Sequence, residues 1–399
     1  MNLRQKIEQE IREQGPMPFS RYMELCLYHP ELGYYSRNAE QFGKAGDFYT
    51  SSDVHAVFGR LLARQFEEIW RVLGLPERIE LLELGPGRGL FAQDVLDWSE
   101  KKFTDFFAAL HYSLAEQSPA LRQRLQATLE RHFETGKVSL AAASIVNDAK
   151  ATGKGTTSVV PNKISTARAL APEVPIIIFA NEFFDALPVE IISPEGQLRI
   201  AEKDGQLFES WHPPSPEALE FLDRYGVHPE PGERVEASLV AQRYMSQIAA
   251  AIERGVIIAV DYGYTRQEQL AGRHRGTIAA YRQHSVSTNP YEAPGEQDIT
   301  AHVNFTALAA AAEAQGMQAQ LLVTQSQFLM GIGEHNQFAD VFEDCQLSQE
   351  RAKVALQLKH LVTPAGMGET FHVLIASKGI ESEKVAELSG LMFGKTAYS

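Results

Sequence analysis

Ile79-Glu80-Leu81-Leu82-Glu83-Leu84-Gly85-Pro86-Gly87-Arg88-Gly89 is the stretch on which the fold turns. A short apolar run bounded by glycine reads as a strand buried on both faces, as an open parallel sheet requires. The glycines let the backbone adopt conformations closed to other residues and approach a ligand closely. From Leu90 the pattern becomes helical, so the turn opens a helix.

The alternation repeats on either side. Residues 112–115 read as a second strand, and Ser118-Pro119 opens a helix over 120–132. Pro175-Ile176-Ile177-Ile178-Phe179-Ala180 and Val256-Ile257-Ile258-Ala259-Val260 are further buried-strand runs, the latter ending at Asp261. Strand following helix in this way predicts a doubly wound α/β sheet of Rossmann-like type. Late in the chain a helix over 305–315 ends at Gly316, a strand follows over 318–323, and residues 369–377 read as a closing, hairpin-like edge strand.

Outside this core, Leu3, Ile7 and Ile11 recur every fourth residue and predict an amphipathic helix that Gly15-Pro16 breaks. An aromatic helix and turn follow over 19–35, then a polar loop over 46–53 in which Ser52 or Asp53 would cap a helix over 54–72. Residues 190–240 hold short strands and turns such as Pro213-Pro214 and Pro229-Glu230-Pro231. The expected division is an N-terminal helical and aromatic cap over 1–75, a core over 76–190 and 250–380, and an inserted lobe over 190–250. Residues 149–166, rich in Gly, Thr, Ser, Lys and Asn without a period, read as a mobile surface loop.

Composition narrows the functional classes. With 399 residues, 44% of them hydrophobic, the chain can bury a large core with insertions. A net charge of −14 repels phosphate backbones and anionic membranes, and no basic patch offsets it, so no nucleic-acid partner is expected. Cys26 and Cys345 stand far apart with no CxxC spacing, which argues against a structural metal or a disulfide framework. The first twenty residues mix Arg4, Lys6 and Arg12 with Glu8, Glu10 and Glu13, unlike a secretory or transit signal. No uncharged stretch reaches the roughly 18 residues of a membrane span. A cytoplasmic location is expected, or a mitochondrial matrix one if a presequence has been removed.

The glycine spacing is GxGxG rather than GxGxxG, with Glu83 two residues before Gly85. That moves the reading from a dinucleotide toward an adenosyl cofactor whose cationic groups accept a carboxylate in place of a phosphate nest. Glu116, directly after the second strand, is placed to accept both ribose hydroxyls. A plain tight turn and a surface acid near a helix start are the alternatives. Beyond Ala180 come Asn181, Glu182, Asp185 and Glu190, at a strand end where acceptor groups collect in such sheets. Glu182 and Glu190 could converge as paired carboxylates on a guanidinium, or simply be solvated loop acids. Asn181 is followed by Glu-Phe-Phe, not the Pro-Pro-aromatic of nucleobase methylases. Asp298, Thr300 and His302 form a polar cluster, with His302 a candidate general base because a free imidazole titrates near neutrality. Capping and packing are the alternative roles there.

Taken together, Phe19-Ser20-Arg21-Tyr22-Met23, Tyr28-His29-Pro30, Gly33-Tyr34-Tyr35, Gly46-Asp47-Phe48-Tyr49-Thr50-Ser51, the segments 83–89, 181–188 and 295–305, and Met367-Gly368-Glu369 resemble the MidA-like family of class I methyltransferases over nearly the full length. The mitochondrial member of that family assists assembly of respiratory complex I. The resemblance implies a seven-stranded methyltransferase sheet, S-adenosylmethionine as cofactor, and methylation of an arginine in a protein. It also implies that residues 46–51 fold over the cofactor. The expected cofactor set is Gly46, Asp47, Thr50, Ser51, Glu83, Gly85, Gly87, Gly89, Glu116 and Asn181, and the expected catalytic set is Glu182, Asp185, Glu190 and His302. The alternatives are a small-molecule methyltransferase, a cofactor-binding assembly chaperone without catalysis and, more remotely, a nicotinamide-dependent dehydrogenase. The acceptor's identity, the number of methyl groups and the oligomeric state stay open.

Overall fold

The computed structural model describes residues 1–36, 56–144, 163–165, 174–282, 285–287 and 289–398. Its centre is a sheet whose main path has seven strands, here β1 (Ile79–Leu84), β2 (Leu110–Ala115), β3 (Val138–Leu140), β4 (Ile176–Asn181), β5 (Gly255–Tyr264), β6 (Gln318–Ala319) and β7 (Phe371–Lys378). They lie in the order 3-2-1-4-5-7-6. β1 pairs in parallel with β2 and β4, β2 with β3, and β4 with β5, while β7 runs antiparallel to both β5 and β6.

The closing strand is therefore not an edge. β7 pairs along its whole length with β5, from Gly255 opposite Lys378 to Tyr262 opposite Phe371, and among the described residues the two-residue β6 and the pair Val323–Thr324 flank it on the other side. The apolar run of β7 reflects this interior place, since a strand covered on both faces needs no polar alternation.

All six residues of β1 are buried, and they alternate between two cores. Leu81 joins Ile177, Phe179 and Ile258 against the helices Ala56–Val72, Leu90–Lys102 and Gln325–His335. Leu82 and Leu84 join Ile178, Ala180 and Ile257 against the helices Leu239–Ala251 and Phe305–Glu313. The period-2 geometry of a strand thus covers both faces and leaves the carboxyl ends of β1, β2, β4 and β5 as the place where loops meet.

A second sheet combines Glu190–Ser193, Gly196–Lys203, Gln206–His212 and Val235–Ala237 with Met17–Pro18, which pairs with Gly196–Lys203. The stripe Leu3, Ile7 and Ile11 packs with Phe19, Tyr22 and Met23 against Leu198 and Ile200 of this sheet. The N-terminal helices and the interval after residue 190 therefore share one core. A three-stranded sheet of Ala279–Arg282, Ser285–Ser287 and Asp298–Thr300 adjoins them.

Some local expectations change. The helix expected over 120–132 divides into Pro119–Thr128, with the Ser118 hydroxyl accepting the Leu121 N–H, and Glu130–Glu134. Within the loop expected over 149–166, Lys163–Ser165 pairs with Ala142–Ser144. The rest of that loop, and the expected caps Ser52 and Asp53, lie outside the described residues.

Candidate active site

The turn after β1 takes three left-handed glycines, with φ of +64° at Gly85, +53° at Gly87 and +80° at Gly89. Two of them serve different ends. A Cβ on Gly89 would stand 2.7 Å from Leu125 Cδ2, so this glycine lets the helix Pro119–Thr128 close against the turn. A Cβ on Gly87 would meet nothing within 4 Å, so there the turn faces open space. The Gly85 N–H donates to the Ala115 carbonyl at 3.2 Å, tying the ends of β1 and β2 together. Bare backbone is thereby presented to a ligand at the start of the helix Leu90–Lys102.

Two acids flank this floor. Glu83 is buried within the sheet and accepts the Tyr112 hydroxyl at 2.8 Å. Burial pushes its carboxyl up to about 8, the Tyr112 bond partly opposing the rise. Glu116 is half-buried at the tip of β2, and its Oε1 accepts the N–H groups of Gln117 and Ser118 at 2.8 Å each. Burial pushes its carboxyl up to about 7 against those two bonds. With Oε1 fixed by the backbone, Oε2 is the acceptor left for a ligand.

The loop after β4 is folded around Asp261. The N–H groups of Phe183, Phe184 and Asp185 donate to Asp261 Oδ2 at 3.2, 3.0 and 3.3 Å, while the Tyr262 N–H donates to Oδ1 at 2.9 Å. Glu182 enters the turn at φ +49°, its N–H donating to the Val260 carbonyl at 2.9 Å. A non-glycine residue there is uncommon and persists only where its surroundings fix it. The three-donor nest supplies that fixing, and Phe183 delivers its ring to within 3.1 Å of where a Gly85 Cβ would lie. The loop after β4 and the glycine turn therefore touch.

Carboxylates gather at this junction. Burial, with the charges of Asp185 and Glu182, raises the Asp261 carboxyl well above its ordinary range. Asp185 is 4% exposed; its Oδ2 accepts the Tyr262 hydroxyl at 2.5 Å, and its Oδ1 is buried without a hydrogen-bond partner. Burial brings the Asp185 carboxyl up to about 6, with the Tyr262 bond opposing. Tyr28 donates its hydroxyl to the Ala186 carbonyl at 2.9 Å. Burial and the nearby charges of Asp185, Asp298 and Glu116 hold this phenol well above its ordinary range. One side chain thus adjoins both the Glu116 side and the Asp185 side of the cleft.

The expected residues divide accordingly. Gly85, Gly87, Gly89, Glu83, Glu116 and Asn181 lie at the tips of β1, β2 and β4, with Asn181 Nδ2 donating to Glu182 Oε1 at 3.1 Å. Glu182 is grouped with Asp185 and Asp261, not with Glu190 as the spacing suggested. Glu190 begins a strand of the second sheet, where it accepts the Ser20 hydroxyl, and burial raises its carboxyl. His302, weighed as a general base and as a packing residue, does not stand in the surroundings of a free imidazole. Burial and the adjacent His274 push it down to about 4, with the two Nδ1 atoms 3.0 Å apart. Its ring stands edge-on to Tyr262 at 5.3 Å between centroids. Gly46, Asp47, Thr50 and Ser51 lie outside the described residues.

Tyr262, Asp261 and Tyr28 are further candidates that motif spacing left unassigned, brought to this junction by their hydrogen bonds, although Asp261-Tyr262 stands at a strand end and Tyr28 in an aromatic run. Among the described residues no group of three or more His, Cys, Asp or Glu side chains could hold a metal ion, and no helix is long and apolar enough to cross a membrane.

A sheet in the order 3-2-1-4-5-7-6 with β7 reversed, a glycine turn open to solvent after β1 and a carboxylate at the tip of β2 define a class I methyltransferase that uses S-adenosylmethionine. Residues 61–323 match the family described as "Putative S-adenosyl-L-methionine-dependent methyltransferase", and the chain belongs to that family. Among curated relatives, the mitochondrial protein arginine methyltransferase NDUFAF7 of Danio rerio is 30% identical over 373 residues, covering 90% of this chain and 82% of its own length. The Drosophila melanogaster homologue is 29% identical over 395 residues, covering 95% and 85%. A Burkholderia thailandensis protein, crystallised with S-adenosyl-homocysteine bound, shares the fold at a TM-score of 0.75 and 24% identity, covering 98% of this chain and 94% of its own. A native crystal structure from the same organism is 25% identical at the same TM-score.

The described residues fit the cofactor. Gly87 leaves the room a side chain would fill, and Glu116 Oε2 is an acceptor suited to vicinal hydroxyls.

Proposed function

We propose that this methyltransferase transfers a methyl group to an arginine side chain of a protein, with Glu182 and Asp185 holding the guanidinium. The observation that carries this reading is Asp185 itself, buried at the carboxyl end of the sheet with Oδ1 making no hydrogen bond. A buried carboxylate oxygen without a partner costs free energy that an incoming N–H donor would recover. The names of the Danio rerio and Drosophila melanogaster relatives, both arginine methyltransferases, support the same acceptor.

The bound cofactor supplies an electrophilic methyl group on a cationic sulfonium. The chain's own part is to bind, orient and accept a proton. Glu116 and the backbone over Gly85 to Gly89 fix the adenosyl end. Tyr262 holds Asp185 in one orientation. A guanidinium bonded to Oδ1 has its neighbouring nitrogen aligned for attack, and proximity contributes most of the rate. Formation of the new N–C bond would break the S–C bond to the methyl and leave its electron pair on sulfur as a neutral thioether; the attacking nitrogen's proton would become acidic, and Asp185, its carboxyl raised by burial, could receive it. His302, pushed down to about 4, stays neutral at working pH and serves as packing against Tyr262.

A small-molecule acceptor is the second reading, favoured by the aromatic packing of Tyr28 on Tyr35, 5.4 Å between ring centroids, beside Ala186. A mitochondrial location follows the relatives' names, and a bacterial cytoplasm is the other option. Comparison of tryptic peptides from cells with and without the gene tests the arginine reading: a methylarginine disappears on deletion. An unchanged arginine methylation pattern would refute it.

A further inference from the structure

Gly85 differs from the other two glycines of the turn in what stands where its side chain would be. A Cβ there would lie 3.1 Å from Cδ2 and 3.9 Å from Cε2 of Phe183, so the Phe183 ring packs on the bare backbone of the turn. The ring is held in place from several sides. The Phe183 N–H donates to Asp261 Oδ2 at 3.2 Å, the Phe184 ring meets that of Phe183 edge-on at 5.3 Å between centroids, and the Tyr244 ring lies tilted to it at 5.2 Å. Phe184 and Tyr244 are buried, whereas Phe183 is only partly so. A large apolar ring thus stands fixed and part-exposed at the strand tips.

The sheet determines which part of the cofactor this ring meets. Leu84 of β1 stands in register between Ala115 of β2 and Ala180 of β4. Glu116 directly follows Ala115, and Phe183 comes three residues after Ala180, so the two flank the glycine turn from opposite sides. A nucleoside thioether whose ribose hydroxyls rest on Glu116, and which crosses the turn over β1, brings its sulfur toward β4 and Phe183. That sulfur is cationic before methyl transfer and neutral after it. The face of a phenyl ring attracts a cation through its quadrupole, more strongly where water is excluded. A neutral thioether gains only packing from the same ring.

We propose that Phe183 is a cofactor-contacting residue, its ring set against the sulfonium so that the site favours the cationic cofactor over its neutral thioether product. This rests on the cofactor alone and holds for any methyl acceptor. Leucine in the same place keeps an apolar contact with the turn and loses the π-face, so the two contributions of the ring can be separated.

The test is equilibrium binding without turnover. The purified protein, with no acceptor present, is titrated calorimetrically with S-adenosylmethionine and with S-adenosylhomocysteine, and the readout is the ratio of the two affinities. Phe183→Leu lowers the affinity for S-adenosylmethionine relative to S-adenosylhomocysteine by about three- to tenfold, as loss of a cation–π contact predicts. Replacement of Phe183 by a trifluorinated phenylalanine, which keeps the shape of the ring and weakens its negative face, lowers the ratio by a smaller factor. A wild-type ratio in Phe183→Leu overturns the inference even if both ligands bind more weakly, since an even loss is the mark of packing alone. Should Phe183→Leu not fold, the fluorinated protein decides, and a wild-type ratio there overturns the inference. Both results leave the arginine reading standing. A wild type that binds neither ligand overturns the inference together with the cofactor assignment beneath it.

Discussion

The Tyr262 hydroxyl lies 2.5 Å from Oδ2 of Asp185, joining the end of β5 to the loop after β4. The two residues are far apart in sequence, and the bond forms because the Asp261 carboxylate, gathering the N–H groups of Phe183, Phe184 and Asp185, curls the loop back onto its own strand. A donor to a carboxylate favours the ionised form. Tyr262→Phe should therefore raise the Asp185 carboxyl further, because the Tyr262 bond is the largest effect opposing burial there. The acid limb of kcat/KM moves up accordingly. Activity of the variant falls at pH 6.5 and recovers by pH 8.5, and a pH–rate profile that keeps the wild-type limb would contradict the assignment.

Glu116 should make cofactor binding pH-dependent. Its carboxyl stands at about 7, so protonation below that value removes an acceptor for the ribose hydroxyls. Calorimetry with S-adenosylhomocysteine should show affinity falling as pH drops from 8 to 6. Glu116→Gln should bind at least about tenfold more weakly at pH 8, the loss of charge-assisted hydrogen bonds being worth about 1.5–3 kcal/mol, and its affinity should be flat over the same range.

The glycine turn separates stability from binding. Gly87→Ala has room for the methyl group and suffers chiefly from a left-handed φ, which costs about 1–2 kcal/mol. Its cofactor affinity should nevertheless fall more than tenfold, because the methyl occupies the ligand's space. Gly89→Ala meets Leu125 at 2.7 Å as well as a positive φ, so about 2–4 kcal/mol of stability is expected to go. Urea denaturation alongside calorimetry reads both. Equal stability losses, or intact binding in Gly87→Ala, would count against this division.

Glu83 should tax the fold at alkaline pH. Its folded carboxyl stands at about 8, above the ordinary value of about 4.3. A raised acid holds its proton more tightly in the folded state, so its contribution is complete below about pH 4.3 and is lost as pH rises through 8. Glu83→Gln keeps an oxygen for the Tyr112 hydroxyl and removes the titration. Its urea midpoint should fall less than that of the wild type between pH 6 and pH 9. Parallel curves for the two proteins would place the proton elsewhere.

What could be read from sequence follows the range of the physics involved. β1, β4 and β5 announce themselves because a strand buried on both faces leaves an unbroken apolar run, and the glycine turn does so because positive φ selects glycine. The interior place of β7 was not visible: an apolar strand looks the same at position six or seven, and only its pairing with β5 tells. Glu182 and Glu190 sit on one stretch of chain, so a meeting of the two was one reading beside that of solvated acids, yet the Asp261 nest turns that stretch so that Glu182 lies with Asp261 and Asp185. Tyr262 reaches Asp185 from a separate segment, and no local spacing encodes a contact made by tertiary folding. His302 shows the same limit for charge, since its titration is set by burial and by His274.

The central claim is transfer of a methyl group from the cofactor over Gly87 to an arginine beside Asp185. Purified protein incubated with methyl-tritiated S-adenosylmethionine and a cell extract from which its own gene has been deleted tests it most directly, with the labelled product identified by mass spectrometry. The account predicts label on the guanidino nitrogen of an arginine in a protein, lost with Asp185→Asn. Label on lysine, on a small molecule or on nothing would contradict it.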